Sequence, residues 1–392
     1  MNSAQRHQGA KKELLMNVDQ TNTPVQRAAL IVLFGICSVS LAAPPTVDQI
    51  LAGKFERVLG NKTGGAAIFP PKNSKWCDQF LSSPTVHFDG KIYRCWFVGS
   101  AMTKDPGIPY GWSERVGLAT SRDGLNWTIA NGGKPVLDFG RKTKFDDCGI
   151  SHPFVLKVGK LFYMWYGGID GRSAADINER PRHVRIEQIG LAVSKDGIKW
   201  RRANGGRPVM FTGEKGSIDT IQATGHHIIR LNGRFIMWYG AYNGKHTLGI
   251  ATSPDGIHWT KQNGGMSLPG LHGPKQLGPS VYHDGRKFLM LYNTTVKTPN
   301  GGSIWTLFMA TSRDGINWKQ AKNNQQVLGP APPGNFGSAD GKKGNNHCVH
   351  PTKFVVLKDR IRVWYGAEGN KAPPGKKYAL SGVGLMELRF GK

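Results

Sequence analysis

Four aspartates stand at nearly matching places in this chain. Asp78 lies in WCDQFLSSP (Trp76–Pro84), Asp146 and Asp147 in FDDCGISHP (Phe145–Pro153), and Asp219 in IDTIQATGH (Ile218–His226). Each segment leads into a short apolar run of the kind that forms a strand. Carboxylates presented to one sugar ring from different sides are what cleavage of a glycosidic bond needs: one as acid, one as base or nucleophile, a third to orient. Histidines gather in the same leading segments, among them His152, His226 and His347, and could bind sugar hydroxyls or shuttle a proton. Trp76 offers a stacking face, and Lys275 a positive charge for an anionic group on a sugar. Set against this, aspartate commonly caps turns that lead into strands. The histidine spacing matches no zinc motif.

The elements that must position these residues follow from an internal repeat. GLATSRDGLNWTIANGGKPV from Gly117, GLAVSKDGIKWRRANGGRPV from Gly190, GIATSPDGIHWTKQNGG from Gly249 and MATSRDGINWKQAKNN from Met309 are near copies, and GVGLMELRF from Gly382 is a weaker fifth. A second motif alternates with the first and is anchored by Trp96, Trp165, Trp238, Leu291 and Trp364. Together they give five units of two strand pairs. A first apolar strand turns at Asp89-Gly90, Lys157–Gly159, Asn232-Gly233 or Asp284-Gly285 into a second that ends in Trp-Tyr-Gly or a variant. The third strand turns through Ser-x-Asp-Gly into a fourth that carries a tryptophan. Asp123, Asp196, Asp255 and Asp314 are accordingly read as turn formers and not as catalysts. Repeats of this period that stack and close describe an all-β, five-bladed β-propeller with four antiparallel strands per blade, over residues 76–392. Residues 46–75 form a lead-in that adds an edge strand or closes the ring. The loops before the innermost strands then line one mouth of a central channel.

Residues 1–45 are expected outside the fold. Ala28–Ala43 is apolar, follows Arg27, ends in small residues and precedes Pro44-Pro45. It reads as a secretory signal peptide, placing the protein outside the cell or in the periplasm with no stable membrane insertion after cleavage; an uncleaved N-terminal anchor is the competing reading. Export makes a disulfide permissible, and two of Cys77, Cys148 and Cys348 could pair, while Cys95 reads as a core residue. The formal net charge is +26. Such a field concentrates anions, and outside the cell these include sulfated or uronic polysaccharides. The basic residues are scattered and no helix-turn-helix, zinc finger or basic-aromatic RNA motif is present, so nucleic acid is not the expected partner.

At Pro-x-Val…Gly-x-x-Tyr-x-Trp-Tyr-x-Gly, Ser-x-Asp-Gly-x-x-Trp and Phe145-Asp146-Asp147-Cys148-Gly149-Ile150, the chain resembles the five-bladed propeller glycosidases of the arabinanase, levansucrase and invertase type, glycoside hydrolase families 43 and 32. The resemblance runs from about Trp76 to the C-terminus. It implies a glycoside hydrolase acting on a poly- or oligosaccharide. By blade order, it implies Asp78 as base or nucleophile, Asp146 or Asp147 as the orienting carboxylate and Asp219 as acid. The departures are specific. Ser83 stands before Pro84 and His152 before Pro153, where family 43 carries aspartate, and Thr224-Gly225-His226 replaces a glutamate segment. Ser83 and His152 therefore join Trp76, His226, Lys275 and His347 as candidate substrate-binding residues. A propeller that binds an anionic polysaccharide or cell-wall component without cleaving it is the alternative. No cofactor is required. The resemblance makes His350, or His347, the candidate ligand of a structural calcium on the propeller axis.

Overall fold

The computed structural model describes residues 43–58, 66–68, 70, 71, 74–78, 80–101, 114–171, 185–297, 302–321, 326–329, 350, 351, 353–368 and 381–390. The apolar stretch Ala28–Ala43 and residues His347 and Cys348 fall outside them, Ala43 excepted. The described chain opens with helix α1 (Val47–Ala52), which the sequence reading did not anticipate. Its signal is the capping box in which Thr46 and Gln49 satisfy each other's backbone amides.

Apart from the short 3-10 turns Asn131–Gly133, Asn204–Gly206 and Asn263–Gly265, the other regular elements among the described residues are strands. The lead-in supplies β1 (Glu56–Val58) and β2 (Ala66–Ile68). Unit A holds β3 (Phe80–Phe88), β4 (Tyr93–Ser100), β5 (Arg115–Ser121) and β6 (Thr128–Ile129). Unit B holds β7 (Gly149–Val158), β8 (Leu161–Ile169), β9 (Glu187–Ser194) and β10 (Arg201–Arg202). Unit C holds β11 (Gln222–Leu231), β12 (Arg234–Tyr242), β13 (His246–Ser253) and β14 (Thr260–Lys261). Unit D holds β15 (Leu277–His283), β16 (Phe288–Lys297), β17 (Ser303–Ser312) and β18 (Trp318–Gln320). Unit E holds β19 (His350–Pro351), β20 (Val355–Val356), β21 (Arg360–Glu368) and β22 (Ser381–Arg389). In units A to D successive strands pair antiparallel, in unit E β19 and β20 both pair antiparallel with β21 and β21 with β22, and one parallel pair, Gln222↔Glu187, fuses units B and C into an eight-stranded sheet. In unit E the outermost place is taken from the other end of the chain: β1 pairs with β22, Arg57 opposite Met386.

The second strands, such as LFYMWYGGI, are apolar almost without alternation because neighbouring units cover both of their faces. Five hydrophobic cores result, and each lies between two units. They join A to B, B to C, C to D, D to E and E back to A. The first strands β3, β7, β11, β15 and β19 touch in the same cyclic order, β19 returning to β3.

One hydrogen bond recurs at these interfaces. The indole of Trp96 donates to the Gly197 carbonyl of the next unit at 2.8 Å, Trp165 to Gly256 at 2.9 Å and Trp238 to Gly315 at 2.8 Å. Trp364 of unit E donates to Gly124 of unit A at 3.3 Å. Each acceptor is the glycine of a Ser-x-Asp-Gly turn, where a Cβ would stand 2.7–3.0 Å from the indole. Each donor ring also meets the tryptophan of that turn at 76–85°, an edge-on contact that adds about 0.5–1.5 kcal/mol to burial. Unit E has no such turn, since its last strand is β1. Accordingly, unit D, which faces it, carries Leu291 where the others carry tryptophan. The turn aspartates behave as expected: Asp123 Oδ1 accepts from the amides of Leu125 and Asn126 at 2.8 Å, and Asp196, Asp255 and Asp314 repeat the pattern.

Candidate functional site

The first strands of units A to D each carry a bulge at the same height, between Ser82 and Thr85, Ser151 and Phe154, Thr224 and His227, and Leu277 and Ser280. Its residue has a left-handed backbone: Ser83 at φ 46°, His152 at 44°, Gly225 at 55° and Gly278 at 55°. Glycine adopts this conformation freely, whereas serine and histidine are strained in it. Units A and B thus carry strain in order to present a side chain where units C and D present none. These four residues line a small depression with Pro84, Pro153, His226 and Pro279. Ser83 and His152 also border a larger, open cup, whose walls include Phe80, Ser82, Ser151, Glu114, Arg185 and Ser381.

The polar wall is connected. Arg185 reaches Glu114 at 3.1 Å and Glu187 at 3.6 Å, so one guanidinium is shared by two largely buried carboxylates. Ser151 donates to Glu187 Oε2 at 2.7 Å, its hydroxyl lies 3.3 Å from that of Thr224, and Thr224 Oγ1 lies 3.3 Å from His152 Nδ1. Gly167 makes room for this cluster: a Cβ there would stand 2.3 Å from Ser151 Oγ and 2.4 Å from Thr224 Oγ1. Near Glu187 but outside the lining of the cup is His246, its ring 4.4 Å from that of Tyr242 and 6.2 Å from that of Trp305. Burial, and then the positive charge of Lys275, push its pKa down to about 4, against the opposing pull of Glu187. The rim therefore presents acid, base, hydroxyl and aromatic groups over adjoining units. That mixture recognises a polyhydroxylated ligand and can move a proton.

The aspartates singled out by sequence occupy other places. Asp146 is fully buried and accepts from the Tyr166 hydroxyl at 3.0 Å and from Arg202 Nε at 2.7 Å. Asp219 repeats this with Tyr239 at 3.1 Å and Lys261 at 2.6 Å. Neither is among the residues lining the cup. Asp147 ties two loop amides, Thr143 and Gly171, each at 2.8 Å. Asp78 is half-buried and matches Asp147 in position, not Asp146, because Trp76 stacks on Phe97 as Phe145 stacks on Tyr166. The residue matching Asp146 in unit A is Cys77. Trp76 has its indole bonded to the Gly133 carbonyl at 2.8 Å, so it packs the unit and does not line the cup. Ser83 and His152 stand inside β3 and β7, not in the loops before them, and border both the depression and the cup; His226 lines the small depression but is buried; Lys275 is exposed. Cys77, Cys95 and Cys148 are buried free thiols, so Cys77 and Cys148 are not paired. Of His350 only the backbone is described, opposite Gly366. Among the described residues no group of three or more His, Cys, Asp or Glu side chains is arranged to hold a metal ion.

Sequence reasoning missed Glu114, Arg185 and Glu187. A positional signal was available. Glu114, Glu187 and His246 each stand three residues before the glycine that opens a repeat copy, Gly117, Gly190 or Gly249.

Solved structures share this architecture. A solved structure described as a glycoside hydrolase superposes with a TM-score of 0.62 at 16% identity, over 86% of this chain and 94% of that one. A structure from the GH130 family of mannoside phosphorylases, described as containing hydrolases of β-1,2-mannosidic linkages, gives 0.59 at 18% identity, over 86% and 93%. A family 117 glycoside hydrolase from Zobellia galactanivorans gives 0.55 at 16%, over 86% and 90%. These likenesses show a shared fold. In sequence, an uncharacterised protein of Mycobacterium tuberculosis is 26% identical over 271 residues, 66% of this chain and 82% of its own length. A 1,2-beta-oligomannan phosphorylase of Thermoanaerobacter is 26% identical over 136 residues, 34% of this chain and 40% of its own. No protein-family model matches the chain.

Proposed function

We propose that units A to E are the blades of one five-bladed propeller, and that the protein is carbohydrate-active, cleaving a glycosidic bond of an oligosaccharide held in the cup. The observation that carries this is the convergence of Glu114, Arg185, Glu187, Ser151 and His152 on one cavity. Glu114, which borders the cavity, is the candidate proton donor or acceptor. Glu187, buried behind Ser151, is a positioning residue that holds Arg185. Asp146 and Asp219, the earlier candidates, act in this reading as internal braces. The likeness to a 1,2-beta-oligomannan phosphorylase makes β-mannosides the first substrates to try, with water or inorganic phosphate as acceptor. An acidic glycan rests on Lys275 and the overall charge alone, because Arg185 is already shared by two carboxylates.

The test is product release from a panel of β-mannosides and plant-type oligosaccharides, with and without phosphate, alongside calorimetric binding. Glu114→Gln should lower product release by roughly a hundredfold or more while leaving sugar affinity within a few-fold. Binding without product by the unaltered protein would favour the non-catalytic alternative, a reading supported by the engagement of both cup glutamates with Arg185. Absence of binding to every glycan would remove both.

A further inference from the structure

Antiparallel strands alternate in direction, so the first-to-second turns, and the third-to-fourth turns of units A to D, fall on the face opposite the cup. The outermost apolar side chains of that face are Leu125, 40% exposed, and Ile198, 37% exposed, each just after the glycine of a Ser-x-Asp-Gly turn. Arg122, Lys195 and Lys199, in the same two turns, are exposed. Asp123 and Asp196 are exposed too, and each accepts from two backbone amides and from a serine hydroxyl. Arg122, Lys195 and Lys199 against these two acids leave the pair of turns with an excess of positive charge beside Leu125 and Ile198.

The start of the fold is fastened to this same face. The Pro45 carbonyl accepts from the Tyr282 hydroxyl at 2.7 Å, the Val47 amide donates to Asp284 at 2.7 Å, and Asp48 pairs with Lys287 at 2.9 Å. Asp284 and Lys287 belong to the first-to-second turn of unit D. The residues that directly follow the apolar stretch Ala28–Ala43 in sequence are therefore bound to the turn face.

We propose that the turn face docks on a bilayer surface containing anionic lipids. Leu125 and Ile198 enter the headgroup boundary, Arg122, Lys195 and Lys199 meet the lipid charges, and the cup is turned toward solvent. An anionic polysaccharide would satisfy the charges but give no return for the aliphatic tips, and it would not account for the attachment of residues 45–48 here.

Co-sedimentation of the full chain with vesicles tests this, using phosphatidylcholine alone and phosphatidylcholine with about a third phosphatidylglycerol. Two variants are compared: Arg122→Glu with Lys195→Glu and Lys199→Glu, and Leu125→Ser with Ile198→Ser. Both change exposed residues, and thermal melting confirms their fold. Partition should favour anionic vesicles by roughly tenfold, fall at least tenfold on charge reversal and fall several-fold in the serine variant. Equal partition to both vesicle types, unchanged by either variant, overturns the proposal. So does binding that ignores the serine substitutions and is fully competed by dextran sulfate, which assigns the face to a polyanion.

Discussion

Strain at the bulges separates geometry from side-chain purpose. All four bulges need a left-handed residue, and glycine meets that need at Gly225 and Gly278. At Ser83 and His152 the same backbone costs about 1 kcal/mol or more. Ser83→Gly and His152→Gly should therefore leave stability unchanged or raise it by up to about 1 kcal/mol, although glycine within a strand ordinarily lowers it. Sugar affinity should fall in both. Chemical denaturation and calorimetry read the two effects, and a large loss of stability with unaltered binding would show that these side chains serve the fold. A second expectation concerns acid. Burial pushes His226 and His227 down to about 3, from an ordinary value near 6.5. The unfolded chain takes up these protons first, so stability is fully present above about pH 6.5 and is lost as pH falls toward 3, by about 1.4 kcal/mol per unit per histidine. Denaturation midpoints at pH 7.5, 6 and 5 should drop in sequence, and His226→Phe should flatten the slope.

Within the sheets, the fourth-strand position facing the second-strand aromatic ring varies as a set. Unit A has Phe97, Cys77 and Ile129; unit B has Tyr166, Asp146 and Arg202; unit C has Tyr239, Asp219 and Lys261. In unit D, Tyr292 donates to Gln320 at 2.7 Å, and in unit E Arg57 donates to the Tyr365 hydroxyl at 3.0 Å. A hydroxyl on the ring brings a polar partner; its absence permits an apolar triplet. Arg202→Ala should cost about 3–5 kcal/mol, since it leaves a buried carboxylate uncompensated. The triple change Tyr166→Phe, Asp146→Cys, Arg202→Ile copies unit A and should cost far less; equal losses in denaturation experiments would refute the brace. This covariation was readable in the aligned repeats. Reading it requires pairing each aspartate before a first strand with a fourth-strand residue roughly 40–55 positions further on, a partner that local loop-capping does not suggest.

Across the whole molecule, the repeat spacing was sufficient for the strand pairs, the Ser-x-Asp-Gly turns and the grouping into units. It could not show which of several aligned acids faces inward, because one residue of register decides that, and the bulges at Ser83 and His152 shift it. Nor did it show that Leu291 marks the one junction without an acceptor turn. That junction depends on the segment before residue 59: removing residues up to 58 exposes the Leu385–Glu387 edge of β22 and takes Val47, Ile50 and Phe55 out of the core shared with unit D. The truncated chain should melt well below the intact one and aggregate, as seen by calorimetry and size-exclusion chromatography. Unit E is built from the two ends of the fold, so neither junction beside it can form until Arg389 has left the ribosome. A chain made N-terminus first must carry β1 unpaired through nearly all of its synthesis, so the ring closes last and all at once.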